Sequence, residues 1–157
     1  MCGIGNGGAQ VFLATTVATP QSLLDLNKVL VVDDNEDALI TVATALRLEG
    51  FEVRTAPDGL EALHVAKEFK PHIAFIDIGL PTMDGYTLAE EIRRTPTLRH
   101  TRLVAITGYT QESDRERARV SGFEEHLAKP ADMRRVIALA SSAVPHPPPD
   151  PARDRIH

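Results

Sequence analysis

Between Lys28 and Val144 the chain alternates short apolar runs with longer amphipathic stretches, one after the other to the end of the window. No other feature constrains the fold as tightly. Successive parallel strands need a crossover of a dozen or more residues, and a helix supplies it with right-handed sense. KVLVV (28–32), HIAFID (72–77) and RLVAIT (102–107) are apolar without a break, as expected of strands covered by helices on both faces. EVRTA (52–56) and EEHLA (124–128) read as two further strands. Asn35 can cap a first helix with Leu39, Val42, Ala43 and Leu46 on one face, ended by Gly50. A second helix is expected over residues 59–69 with Leu60, Leu63 and Ala66 inward, and a third over YTLAEEIRR (86–94). The polar segment QESDRERARVSG (111–122) supplies a fourth, with a weak apolar side. The last runs from Ala131 to Val144, with Met133, Val136, Ile137 and Ala140 on its apolar side. The reading is an α/β fold on a parallel sheet.

The ends read differently. Residues 1–27, Gly-rich at GIGNGG and without helical period, are expected to be a flexible leader or the remnant of a preceding domain, and residues 145–157 a disordered Pro-rich, charged tail. The folded part is therefore residues 28–144, one domain of ordinary size. With 43% apolar and 25% charged residues, the chain can bury an ordinary core. A net charge of −5, with scattered basic residues, disfavours nucleic-acid binding, which depends on phosphate neutralisation. Cys2 is the single cysteine, so no intrachain disulfide can form. The longest early apolar run, VFLATTVA, is too short to span a bilayer and lacks a basic flank, so cytoplasm is the expected location.

Open parallel sheets bind ligands outside the carboxyl ends of their strands. Asp33 and Asp34 end the first strand, Asp77 the third and Thr107 the fourth, and Lys129 follows the fifth. Asp33 and Asp34 alone would be explained as acids at a helix start, where the dipole favours them. Lys129 alone would be a solvated cation, and Thr107 alone a hydroxyl with a local bond. Together on one sheet edge they suit an oxygen-ligated Mg²⁺ and phosphoryl transfer to a carboxylate. Lys129 and the metal would neutralise charge on the transferring group, and Thr107 would donate to one of its oxygens.

LVVDDNEDA, FIDIGLPTMDG, AITGYT and HLAKPAD together resemble the receiver domain of bacterial two-component response regulators, over residues 28–144. The resemblance implies a flavodoxin-like, doubly wound (βα)5 three-layer sandwich with strand order 2-1-3-4-5. It makes Asp77 the phosphoacceptor, taking the group from a phosphohistidine. Asp34 and Asp77 would bind Mg²⁺ directly with the backbone carbonyl of Gly79, and Asp33 through water. Thr107 would be the switch hydroxyl, Lys129 the partner of the phosphoryl group, and the Lys129–Pro130 bond cis. The implied partners are a histidine kinase or histidine phosphotransfer protein and a downstream protein met through the face from the fourth to the fifth helix. The domain would be a monomer or weak dimer. The only turnover implied is self-phosphorylation and autodephosphorylation at Asp77.

One position departs from the family. Tyr or Phe often stands three residues before the lysine, where this chain has His126, a smaller ring that can titrate near neutral pH. TGYT and HLAKP look most like receivers attached to sensor kinases, so the chain also reads as the carboxyl-terminal receiver segment of a hybrid histidine kinase. GNGGAQVFLAT, similar to the Gly-rich end of a kinase ATP-binding domain, points the same way. A metal-dependent phosphohydrolase with an aspartyl nucleophile would want a second acid two residues after it, where this chain has Gly79. A non-phosphorylated docking module would have no use for the full set of acids, threonine and lysine.

Overall fold

The computed structural model describes residues 28–108 and 112–142; the expected leader, the Pro-rich tail and the last two residues assigned to the final helix lie outside the described residues. Five strands alternate with five helices: β1 (Lys28–Val32), α1 (Glu36–Leu48), β2 (Glu52–Ala56), α2 (Gly59–Phe69), β3 (Ile73–Asp77), α3 (Gly85–Arg94), β4 (Arg102–Thr107), α4 (Glu112–Ser121), β5 (Glu125–Ala128) and α5 (Met133–Ser142). All strand pairs are parallel, in the order β2-β1-β3-β4-β5. This is the flavodoxin-like, doubly wound arrangement expected from the sequence.

The unbroken apolar runs follow from period-2 alternation with both faces covered. Leu30, Val32, Ala74, Ile76, Leu103 and Ala105 pack against α2, α3 and α4. Their neighbours Val29, Val31, Ile73, Phe75, Val104 and Ile106 pack on the other face against α1 and α5. Between their first and last residues the central strands therefore carry no polar residue. Edge strands do: Arg54 of β2 is exposed.

Helix boundaries have local causes. The Asn35 side chain accepts the Ala38 N–H at 3.0 Å and starts α1. Gly50, at φ +100°, ends it with the paired bonds Phe51 N–H to Leu46 O and Gly50 N–H to Arg47 O. Leu39, Ala43 and Leu46 are buried as expected, and Val42 packs beside them.

The second helix corrects one expectation. Leu60 is 62% exposed, and the buried positions are Gly59, Ala62, Ala66 and Phe69. Small residues let α2 approach closely, and Gly59 sits where a Cβ would stand 2.9 Å from Met83 Cβ. Leu63 packs against this core and Ala66 is buried, both as expected, so only Leu60 departs from the expected inward face. Several bounds also move, among them the start of β3 at Ile73 rather than His72 and the end of α4 at Ser121 rather than Gly122. β5 starts at Glu125 rather than Glu124, and α5 starts at Met133 because Asp132 accepts the Arg134 N–H at 2.9 Å with its side chain.

Candidate functional site

Strand register brings the acids together. Val32 pairs with Ile76, so one further step along β1 and β3 sets Asp33 beside Asp77. Asp77 in turn pairs with Ile106, next to Thr107, and Thr107 pairs with Ala128, next to Lys129. The Lys129 N–H donates to Thr107 O at 2.9 Å, extending that ladder past the strand end. The Lys129–Pro130 bond is cis, as the resemblance implied. All five residues singled out in the sequence meet at one edge.

Asp33 and Asp77 are buried there and Asp34 is exposed, with one carboxylate oxygen from each within 4.8 Å of the others. The Lys129 ammonium lies 3.1 Å from Asp77 Oδ2 and 3.6 Å from Asp33 Oδ2. Thr107 is buried at the end of β4. Two backbone amides orient the acids: Asn35 N–H donates to Asp33 Oδ1 at 2.9 Å, and Gly79 N–H to Asp77 Oδ1 at 3.0 Å. Both are local turns closed by an aspartate onto the residue two ahead. The spacings Asp-x-Asn and Asp-x-Gly carry that signal, although sequence reasoning took Gly79 only for its carbonyl.

Charge in this pocket is unbalanced. Burial raises the Asp33 carboxyl above the ordinary carboxylate range, opposed by the Asn35 N–H; the Asp77 charge adds to the rise and Lys129 opposes it. For Lys129, burial acts to lower the ammonium, but its bond to Asp77 and the charges of Asp77 and Asp33 prevail and raise it. Three carboxylates face one ammonium. An all-oxygen donor set with surplus negative charge fits a hard divalent cation.

Asp33→Asn tests that repulsion. An acid whose folded pKa is raised contributes stability that is complete below the ordinary carboxylate range and lost as pH rises through its folded value. At neutral pH the ionised Asp33 therefore costs stability when no cation is bound. Asparagine keeps an oxygen for the Asn35 amide and removes the charge. The metal-free variant should melt several degrees higher, a gain of about 1 kcal/mol. An unchanged or lower melting temperature in metal-free buffer would show that the acids do not load the fold.

Residues 29–141 match the family described as the response regulator receiver domain. The chain belongs to that family. It is a receiver domain of two-component signalling, and its relatives fit that assignment. It is 32% identical over 114 residues to the polar-differentiation response regulator DivK of Brucella anthropi, covering 73% of this chain and 93% of that one. The receiver domain of the sensor histidine kinase PA1611 from Pseudomonas aeruginosa, solved with a magnesium ion in its active-site cleft, superposes with a TM-score of 0.68 at 28% identity, covering 73% of this chain and 94% of that one. The receiver domain of Saccharomyces cerevisiae Ssk1, solved with the histidine phosphotransfer protein Ypd1, superposes with a TM-score of 0.68 at 26% identity, covering 73% and 86%.

Among the described residues, no helix of this receiver is long and apolar enough to cross a membrane. Gly85 also shapes the site, and α3 starts there rather than at the expected Tyr86. A Cβ there would stand 2.8 Å from both Asp77 O and Ile78 Cα. The glycine lets α3 start directly against the strand end that carries Asp77.

Proposed function

We propose that Asp77 accepts a phosphoryl group from a phosphohistidine on a histidine kinase or histidine phosphotransfer protein, and that the domain signals onward by protein contact. The observation that carries this is the buried Asp77 carboxylate, fixed by the Gly79 amide and held 3.1 Å from the Lys129 ammonium. An Asp77 oxygen attacks phosphorus, the phosphorus–nitrogen bond breaks, and the imidazole nitrogen leaves with the electron pair. Lys129 pairs with the arriving phosphoryl oxygens, and the Thr107 hydroxyl donates to one of them. Asp34, Asp77 and the Gly79 carbonyl would hold Mg²⁺, and Asp33 would act on it through water. Bound there, such an ion would supply neutralisation of the phosphoryl charge. Water attack on the same phosphorus breaks its bond to the Asp77 oxygen, releasing inorganic phosphate and returning Asp77 to its carboxylate.

Output is assigned to the face from α4 to α5. A groove of about 410 Å³ lies there, lined by Arg115, Arg119, Phe123, Glu125, His126 and Arg135. His126 is half-buried on β5. Its ring fills less volume than a tyrosine, so packing separates the two signalling states less strongly than it would with Tyr at this position.

A time course of phosphoryl uptake from acetyl phosphate tests the reading. Uptake is expected with Mg²⁺ present and should fall to background when the ion is chelated. Equal uptake under both conditions would remove the metal from the mechanism.

A further inference from the structure

α4 is an unusual helix to carry a signal, because it has little apolar surface with which to stay attached. Only Ala118 and Ser121 of its ten residues are buried. Arginines, one donated by each helix, hold it to α3 from its middle and at its carboxyl-terminal end. From α4, Arg117 lies 4.2 Å above the ring of Tyr86 and 3.9 Å from Asp84 Oδ2. Both receptors are fixed. Tyr86 is buried, and the other oxygen of Asp84 caps α3 by accepting the Thr87 N–H at 2.8 Å. From α3, the Arg93 guanidinium donates to Thr101 O at 2.7 Å, Gly122 O at 2.9 Å and Arg99 O at 3.2 Å. Its planar fork suits several carbonyls at once, which a lysine could not reproduce.

The two attachments differ in firmness. Gly122, at φ +117°, closes α4 with the bonds Phe123 N–H to Ala118 O and Gly122 N–H to Arg119 O. A Cβ on Gly122 would stand 2.8 Å from Arg93 Cγ, so this end is tightly seated. Arg117, by contrast, is 63% exposed, and an exposed ion pair with a cation–π contact is readily released. Asp84 also sits at the end of the loop that follows Asp77. Gly85 N–H donates to Ile78 O at 3.0 Å and closes that loop onto the residue after Asp77. A shift of the Asp77 strand end therefore displaces Asp84, and with it the seat of Arg117.

We propose that Arg117, seated on Asp84 and Tyr86, is a positioning residue that couples the loop after Asp77 to α4, with Arg93 at Gly122 as the fixed pivot. Its signalling consequence rests on the reading of Asp77 as the phosphoacceptor; the coupling itself does not. Release of Arg117 lets the amino-terminal part of α4 swing while its carboxyl-terminal end stays anchored.

Amide hydrogen exchange on the metal-free, unphosphorylated protein tests this whether or not Asp77 takes phosphate. Arg117→Ala should speed exchange of amides 116–120 roughly five- to tenfold, the factor an exposed ion pair and a cation–π contact are together worth. Amides of β1 and β3 should be unaffected. Asp84→Ser keeps a good helix cap but removes the carboxylate, so it should reproduce part of that acceleration in α4. Combining it with Arg117→Ala should add nothing beyond Arg117→Ala alone. Arg117→Lys, which keeps the charge, should restore part of the protection. The proposal is overturned if Arg117→Ala leaves α4 exchange unchanged, or if the two substitutions act additively on it.

Discussion

Gly85→Ala is expected to lower the unfolding free energy by about 3 kcal/mol, the upper end of what overpacking costs. The added methyl meets Asp77 O and Ile78 Cα at 2.8 Å, and these are backbone atoms that no rotamer change can move aside. Relief requires α3 to back away from the strand end, which breaks the Gly85 N–H bond to Ile78 O. Against a typical 5–15 kcal/mol for a whole domain, that loss shifts Tm by about 10 °C. It also displaces Asp77, so the response to Mg²⁺ should weaken in parallel. Gly50→Ala is the matched control. Gly50 has φ +100° and open space around it, so only the backbone penalty of about 1 kcal/mol applies. Thermal melts of the two variants separate the effects. Equal losses would mean that contact with the Asp77 backbone is not what reserves position 85 for glycine.

The second large effect is on metal response. Asp34 is exposed, so Asp34→Ala should change metal-free stability by no more than about 0.5 kcal/mol. In the wild type, Mg²⁺ at a hundred times its dissociation constant should add about 2.7 kcal/mol, because it binds the folded state. The variant should lose that gain almost entirely, since it removes a ligand while leaving the core intact. Melting curves with and without Mg²⁺ read the difference directly. A variant that keeps the full Mg²⁺-induced shift would place the ion elsewhere.

The parts legible in the sequence were those set by local periodicity. Runs such as IAFID had to be strands buried on both faces, and the rule that ligands gather at strand ends then brought Asp33, Asp77, Thr107 and Lys129 together. Asn35 declared itself as a cap by residue type. Leu60 misled because the start of α2 is seated by close approach of Gly59 to Met83, a contact 24 positions away in the chain that periodicity does not encode. Gly85 was hidden for the same reason. Gly85 opens α3, and the requirement for glycine there comes from the backbone of Asp77 and Ile78. The arginines on α3 and α4 look like an ordinary solvated charge run, and only tertiary placement shows that Arg93 and Arg117 are committed.

Asp77 is the residue on which the proposed function rests. Intact-mass measurement of the wild type and Asp77→Asn, side by side after incubation with acetyl phosphate and Mg²⁺, tests it most directly. The wild type should gain a single phosphoryl group and the variant none, because asparagine keeps the shape and the Gly79 bond but has no carboxylate to attack phosphorus. The same adduct on both proteins would contradict the assignment and the signalling role built on it.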